Sequence, residues 1–171
     1  MSTGEEHIVI ASKNLAHNKT PLVRLHSSCF TGDLLQSLQC DCNSQLLAAI
    51  KLINEKPENA GIVIYLSQEG RGIGLANKLR AYSLQSKGYD TVEANLKLGF
   101  DMDERDYSIA AEILRQLKIK TVKLLTNNPQ KSEALKNEGI AVAEVLPLIT
   151  EPNNYNKKYM ETKKHKMSHT I

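Results

Sequence analysis

The stretch Gly61-Ile62-Val63-Ile64-Tyr65-Leu66 is a nearly continuous apolar run, rich in β-branched side chains and followed within four residues by a glycine-rich segment. A run of this length and composition reads as a strand buried on both faces, which requires covering layers above and below it. Helices to supply those layers are legible on either side. Leu46, Leu47, Ile50 and Ile53 recur at helical spacing and predict a helix over about 43–55, stopped by Pro57. Leu75, Leu79, Tyr82 and Leu84 predict a second, closed by Gly88. The alternation continues with a helix over about 104–118, a strand from Thr121 to Thr126, a helix opening at Pro129 and a strand from Ile140 to Val145. Two earlier strands, His7 to Ala11 and Leu22 to His26, are separated by the turn residues Asn18-Lys19-Thr20-Pro21. Alternating strands and helices predict an α/β domain with ligands at the carboxyl ends of its strands. The loops 67–74 and 126–131 sit at such ends.

Composition narrows the function classes. With 171 residues, 41% hydrophobic and 24% charged, the chain suits one soluble domain, and no repeat or linker divides it. There is no apolar run of about 18 residues, and the opening Met1-Ser2-Thr3-Gly4-Glu5-Glu6 lacks the pattern of a signal peptide. The expectation is a cytoplasmic protein that does not enter a membrane. Aromatic residues make up 5% with no Trp, which argues against a nucleic-acid binder built on stacking platforms. The net charge of +3 belongs to the tail: residues 153–171 carry Lys157, Lys158, Lys163, Lys164 and Lys166 against Glu161, leaving the rest slightly acidic. This basic tail reads as a solvated terminal helix, and His165 and His169 within it as solvated too.

All three cysteines lie between positions 29 and 42, as C-x10-C-D-C. An odd, clustered set argues against a disulfide framework. Three thiolates can hold Zn²⁺ with a fourth position left for water, the open arrangement of a catalytic site. The spacing alone equally accommodates buried, inert thiols.

Other segments have two readings each. Gly70-Arg71-Gly72-Ile73-Gly74 lacks the Lys-Ser/Thr of a P-loop and reads either as a plain turn or, through Arg71, as a phosphate binder. Asp103-Glu104-Arg105-Asp106 has the composition of helix-capping acids with a surface Arg. Thr126-Asn127-Asn128-Pro129-Gln130-Lys131 is a helix amino terminus with Pro in its first turn, and equally an anion site. Tyr82 in Arg80-Ala81-Tyr82-Ser83 is a helix-core aromatic or a site residue.

Taken in order, the stretches Arg24-Leu25-His26-Ser27, Cys29-Phe30-Thr31-Gly32-Asp33, Cys40-Asp41-Cys42, Gln68 to Leu75, Gly88 to Asn95, Asp103 to Asp106 and Leu124 to Pro129 resemble the GTP cyclohydrolase II family. The resemblance runs from about residue 20 to 149, with a fainter match in the tail. It implies one domain over 1–171 with a mixed β-sheet and flanking helices, and a cytoplasmic homodimer. It further implies opening of the guanine imidazole ring of GTP with release of formate and pyrophosphate, the first step of riboflavin synthesis. By the same resemblance Cys29, Cys40 and Cys42 hold zinc. GTP contacts fall to Arg24, Leu25, His26, Ser27, Gln45, Glu69, Gly70, Arg71, Thr91, Thr126 and Lys131. Asp103 is implied as proton acceptor and Arg105 as a nucleophile towards the α-phosphate, with Tyr82 favouring the complete reaction.

Elementary chemistry modifies two of these roles. A guanidinium is essentially always protonated, so Arg105 reads better as a charge stabiliser than as a nucleophile. Glu69 is a candidate acceptor for the guanine N1–H and amino group. Mg²⁺ is expected with the phosphates. Two positions depart from the family pattern, Ser28 where Glu is usual and Asn43 where Gly is usual. The resemblance also implies a start later than in typical members and no fused dihydroxybutanone phosphate synthase domain. Ser28 keeps open an altered homologue that releases a formylated product or takes another purine nucleotide. A catalytically silent zinc and nucleotide binder is the reading from a different class.

Overall fold

A computed structural model describes residues 4–55, 57–166 and 170. His169 lies outside these residues, as do the side chains of Lys158 and Lys166. Five strands, β1 (Ile8–Ala11), β2 (Leu22–Ser27), β3 (Gly61–Leu66), β4 (Thr121–Leu125) and β5 (Ala141–Leu146), form one sheet in the order β1-β3-β2-β4-β5. β1 runs antiparallel to β3 and every other pairing is parallel, so the sheet is mixed. Among the described residues, six α-helices connect and cover it: α1 (Cys42–Glu55), α2 (Gly74–Gln85), α3 (Thr91–Lys97), α4 (Ser108–Gln116), α5 (Pro129–Asn137) and α6 (Lys157–Lys166).

The run that opened the sequence reading is β3, and both of its faces are covered. Ile62, Ile64 and Leu66 join Val23, Leu25, Val122 and Leu124 under Ala110, Ala111 and Leu114 of α4 and Leu135 of α5. Val63, on the opposite face, packs with Leu22 and Leu125 against Ala49 and Ile53 of α1. Each fully buried Leu or Ile here contributes about 1.5–3 kcal/mol of apolar burial.

This two-sided arrangement places a crevice. From β2 the chain crosses to β3 on one side, whereas from β4 it crosses to β5 on the other, so connectivity diverges between β2 and β4. The β2–β4 register covers only Leu22↔Lys123 and Val23↔Leu124. Beyond it, two cationic side chains take over from the ladder: Arg24 donates to the Leu125 carbonyl at 3.1 Å and Lys131 Nζ to the Leu25 carbonyl at 2.7 Å. The cleft opens where the ladder stops.

Two expectations need correction, and one helix is additional. The helix expected over 104–118 starts only at Ser108, because Asp106 accepts from the Ser108 N–H at 2.8 Å and residues 103–105 form a loop. The segment after Gly88 holds a helix that hydrophobic spacing did not reveal, α3, set by a capping box between Asp90 and Glu93. The tail is a helix, but it is not simply solvated: Lys157, Lys164 and His165 are exposed while Lys163, Thr162 and Met160 are buried. Among the described residues no helix is long and apolar enough to cross a membrane.

Candidate functional site

The cleft at the carboxyl ends of β2, β3 and β4 is lined by groups from each of the stretches that carry the family resemblance. Its two ends differ in chemistry.

At one end lie the thiols. After β2 the chain makes a tight turn over Phe30–Leu34 and returns to α1, which begins at Cys42. Asp33 holds this turn, accepting from the Cys29 N–H at 3.0 Å and the Tyr65 hydroxyl at 2.9 Å, with His26 Nε2 at 3.2 Å. The His26 ring in turn stacks on Tyr65, the centroids 5.5 Å apart. Gly32 is required by space: a Cβ there would lie 2.8 Å from Cys40 Sγ and 3.0 Å from Cys29 Sγ. All three cysteines are free, and their Sγ atoms lie within 4.8 Å of one another.

The donors fit a metal ion. Lys78 Nζ donates to Cys29 Sγ at 3.0 Å and to Glu69 Oε1 at 2.9 Å, and the Gly32 N–H lies 3.4 Å from the same sulfur. Hydrogen bonds from the other two thiols, then Lys78, hold Cys29 well below the ordinary thiol range. Its bond to Cys29 pushes Cys40 up to about 11, and Cys42 is pushed well above its ordinary value for the same reason. Three thiol donors this close together, steadied by an ammonium, suit a divalent cation, whose binding would displace their remaining protons.

At the other end lie cations. Arg24 is buried, bonded to Gln45 Oε1 and the Leu125 carbonyl, with its Nε unpartnered. Gln45 Nε2 donates to Asp41 at 2.5 Å. Lys131 is equally buried; burial, then Arg24, Arg105 and Lys163, push its ammonium well below the usual 10.5. Arg105 pairs with Asp103, donating from Nε at 2.7 Å and also from NH2. The Arg105 and Lys131 charges both lie 5.6 Å from the ring centroid of buried Tyr107. Arg105 is therefore not the surface Arg of a capping segment. Burial alone would raise Asp103, but the bonds from Arg105 outweigh it and hold the carboxyl below its usual range. Arg105 is shifted upward and stays protonated.

Between the ends runs the loop 69–72. Arg71 has φ +64°, a left-handed conformation that costs a non-glycine residue about 1–3 kcal/mol. Its carbonyl accepts from the Glu104 N–H at 3.0 Å, and a Cβ at Gly72 would lie 2.8 Å from the Glu104 carbonyl oxygen. The loop is thus clamped to the Arg105 segment while Arg71 NH1 and NH2 are buried without partners at the cleft.

Of the residues implied in the sequence reading, Arg24, His26, Ser27, Gln45, Glu69, Gly70, Arg71, Tyr82, Thr91, Arg105, Thr126, Lys131 and the three cysteines line the cleft. Leu25 and Asp103 do not. The Leu25 side chain is fully buried in the core, and its carbonyl serves as the anchor of Lys131. Asp103 reaches the cleft only through Arg105. Glu69 already accepts from Lys78, from the Gly70 N–H at 2.7 Å and from the Phe30 N–H at 2.5 Å. Those bonds tie it to the thiol turn, so a guanine edge must compete with three donors for it. Tyr82 places its hydroxyl 3.4 Å from Thr31 Oγ1, beside that turn.

Sequence reading missed Lys78, Tyr107, Tyr159 and Lys163. Lys78 falls one helical turn past Gly74, and only that spacing from the glycine-rich loop could have suggested it. Tyr159 and Lys163 lie on a helix whose lysines looked uniformly solvated.

A family described as GTP cyclohydrolase II matches residues 1–147. The chain is 50% identical over 172 residues to GTP cyclohydrolase-2 of Haemophilus influenzae, a match covering 100% of this chain and 79% of that protein. It is 48% identical over 171 residues to riboflavin biosynthesis protein RibBA of Cytophaga hutchinsonii, covering 100% of this chain and 42% of that one. It is 54% identical over 167 residues to RibBA of Staphylococcus epidermidis, covering 98% and 41% respectively. The chain thus spans less than half the length of these RibBA relatives. With the family matched over most of its length, the chain belongs to the GTP cyclohydrolase II family.

Proposed function

We propose that this protein hydrolyses GTP, releasing formate from the guanine ring and pyrophosphate from the triphosphate, as the first step of riboflavin synthesis. The observation that carries the reading is the sharing of one cleft by a three-thiol cluster and a cluster of buried cations. Cys29, Cys40 and Cys42 would hold zinc, with Lys78 and Glu69 fixing the thiol turn around it. When bound, zinc supplies Lewis acidity and hydrolytic power near neutral pH.

The chain's own groups do the rest. Arg24, Arg71 and Lys131 bind and orient the nucleotide, with hydrogen-bonding help from Ser27, Gln45, Thr91 and Thr126. Arg105 stays protonated and stabilises the charge that develops as pyrophosphate leaves the α-phosphate. Asp103 orients Arg105 rather than accepting a proton, because a carboxylate held below its usual range by two guanidinium bonds is a weak base. Mg²⁺ accompanies the phosphates. The protein acts as a single domain over 1–171, cytoplasmic and homodimeric, without nucleic-acid or membrane partners. Incubation of zinc-loaded protein with GTP and Mg²⁺ tests the reading: formate accumulates and the purine absorbance falls. Zinc-loaded protein that binds GTP but yields no formate overturns it.

A further inference from the structure

The tail lines the cationic end of the cleft. Two ties flank α6: Asn156 Nδ2 reaches the Cys40 carbonyl at 3.5 Å before the helix, and the Thr170 N–H donates to the Asn127 carbonyl at 3.0 Å after it. Cys40 lies on the thiol side of the cleft and Asn127 on the β4–α5 loop. Between the ties, Tyr159 and Lys163 line the cavity. Lys163 is 9% exposed and its Nζ bonds Asp41 at 2.5 Å, while lying 4.6 Å from the Tyr159 ring centroid. The Arg71 guanidinium, whose NH1 and NH2 lack partners, lies 5.9 Å from the same ring.

The charge balance there asks for an anion. Arg24, Arg105 and Lys163 are near enough to act on Lys131 together, and Asp41 and Asp103 are the carboxylates that pair with members of this four-residue set. Four cationic side chains facing two carboxylates, with buried N–H groups of Arg24 and Arg71 unsatisfied, suit a polyphosphate.

We propose that Lys163 is a substrate-binding residue: it leaves Asp41 for the phosphates of the bound nucleotide, with Tyr159 as the surface on which both Lys163 and Arg71 are held. This rests on the nucleotide reading of the cleft. Asp41 sits between Cys40 and Cys42, so its carboxylate is the resting partner of a cation that the substrate draws away.

The test uses full-length, zinc-loaded protein with tripolyphosphate as a binding probe and GTP as substrate. In Lys163→Met, tripolyphosphate affinity falls roughly tenfold and the GTP KM rises by a similar factor, the usual weight of one charge-assisted bond, while zinc content is unchanged. Lys163→Arg restores most of both. Asp41→Asn separates ligand from strut. It breaks the same ion pair yet leaves tripolyphosphate binding equal or tighter, because the carboxylate no longer competes for Lys163. If Asp41→Asn and Lys163→Met weaken tripolyphosphate binding alike, or if Lys163→Met changes neither quantity, Lys163 is a structural tie and the proposal is overturned. Lys163-dependent tripolyphosphate binding in a protein that releases no formate from GTP would uphold the anion contact and defeat the cyclohydrolase reading instead.

Discussion

The two ends of the cleft hold their charges in opposite ways. At the thiol end, three thiols come from fourteen consecutive residues, and nearby groups steady them: Lys78 on Cys29, Asp33 on the Cys29 amide, Glu69 on Lys78 and the Phe30 amide. At the cationic end, the charges come from β2, the loop after β3, the loop before α4, α5 and the tail, and they crowd one another without full compensation. A satisfied, local cluster is suited to keeping a metal ion. An unsatisfied, long-range cluster is suited to seizing and releasing an anion.

The largest effect separating the ends comes from Cys29→Ser. It should abolish zinc binding and lower formate production at least about a thousandfold, by loss of several kcal/mol of metal catalysis. Measured nucleotide affinity should change little, because the cations remain. Loss of GTP binding in this variant would mean that the two ends do not act separately.

Arg105→Ala should lower kcat for pyrophosphate release by about 10²–10³ with zinc retained. Arg105→Lys should recover part of that, and Asp103→Asn should fall between wild type and Arg105→Ala, since it removes the orienting partner alone. An Asp103→Asn variant less active than Arg105→Ala would restore Asp103 as a direct proton acceptor.

Lys78→Met should weaken zinc binding by about 10–100-fold in chelator competition, in line with loss of a group that supports a ligand. An unchanged zinc affinity would show that Cys29 needs no ammonium beside it.

A pH profile sharpens the cationic end. The Lys131 ammonium is held below 10.5 by burial and by neighbouring cations, so it loses its proton at a lower pH than an ordinary lysine. The KM for GTP should therefore climb on the alkaline side, and Lys131→Arg should flatten the climb.

The smallest effect concerns stability. Burial holds His26 below its ordinary 6.5 despite Asp33, so the folded state resists protonation that the unfolded chain accepts. Stability should be full above about pH 6.5 and decline as pH falls through that value towards the lower folded one; His26→Gln should remove this decline in thermal unfolding.

What could be read without coordinates follows the same division. Strands buried on both faces, the helix opening at Cys42 and the thiol cluster are set by neighbours in sequence, so hydrophobic spacing and cysteine arithmetic reach them. The cationic end depends on which strands stop pairing and where. Nothing in Asp103-Glu104-Arg105-Asp106 distinguishes a helix cap from a buried ion pair, because the deciding partners, Tyr107 packed in the core and Gly72 pressed against Glu104, arrive through the fold. The tail was misread for the same reason: five lysines on a polar helix look alike until one meets Asp41, more than a hundred residues away in sequence. α3 escaped because a capping box, rather than an apolar stripe, sets its start.

The ratio of formate to pyrophosphate released from GTP by the zinc-loaded protein tests most directly whether both ends serve one reaction. Equal amounts, with formate lost in Cys29→Ser and pyrophosphate release impaired in Arg105→Ala, are expected. Pyrophosphate released without formate, or formate output undiminished in Cys29→Ser, would contradict it.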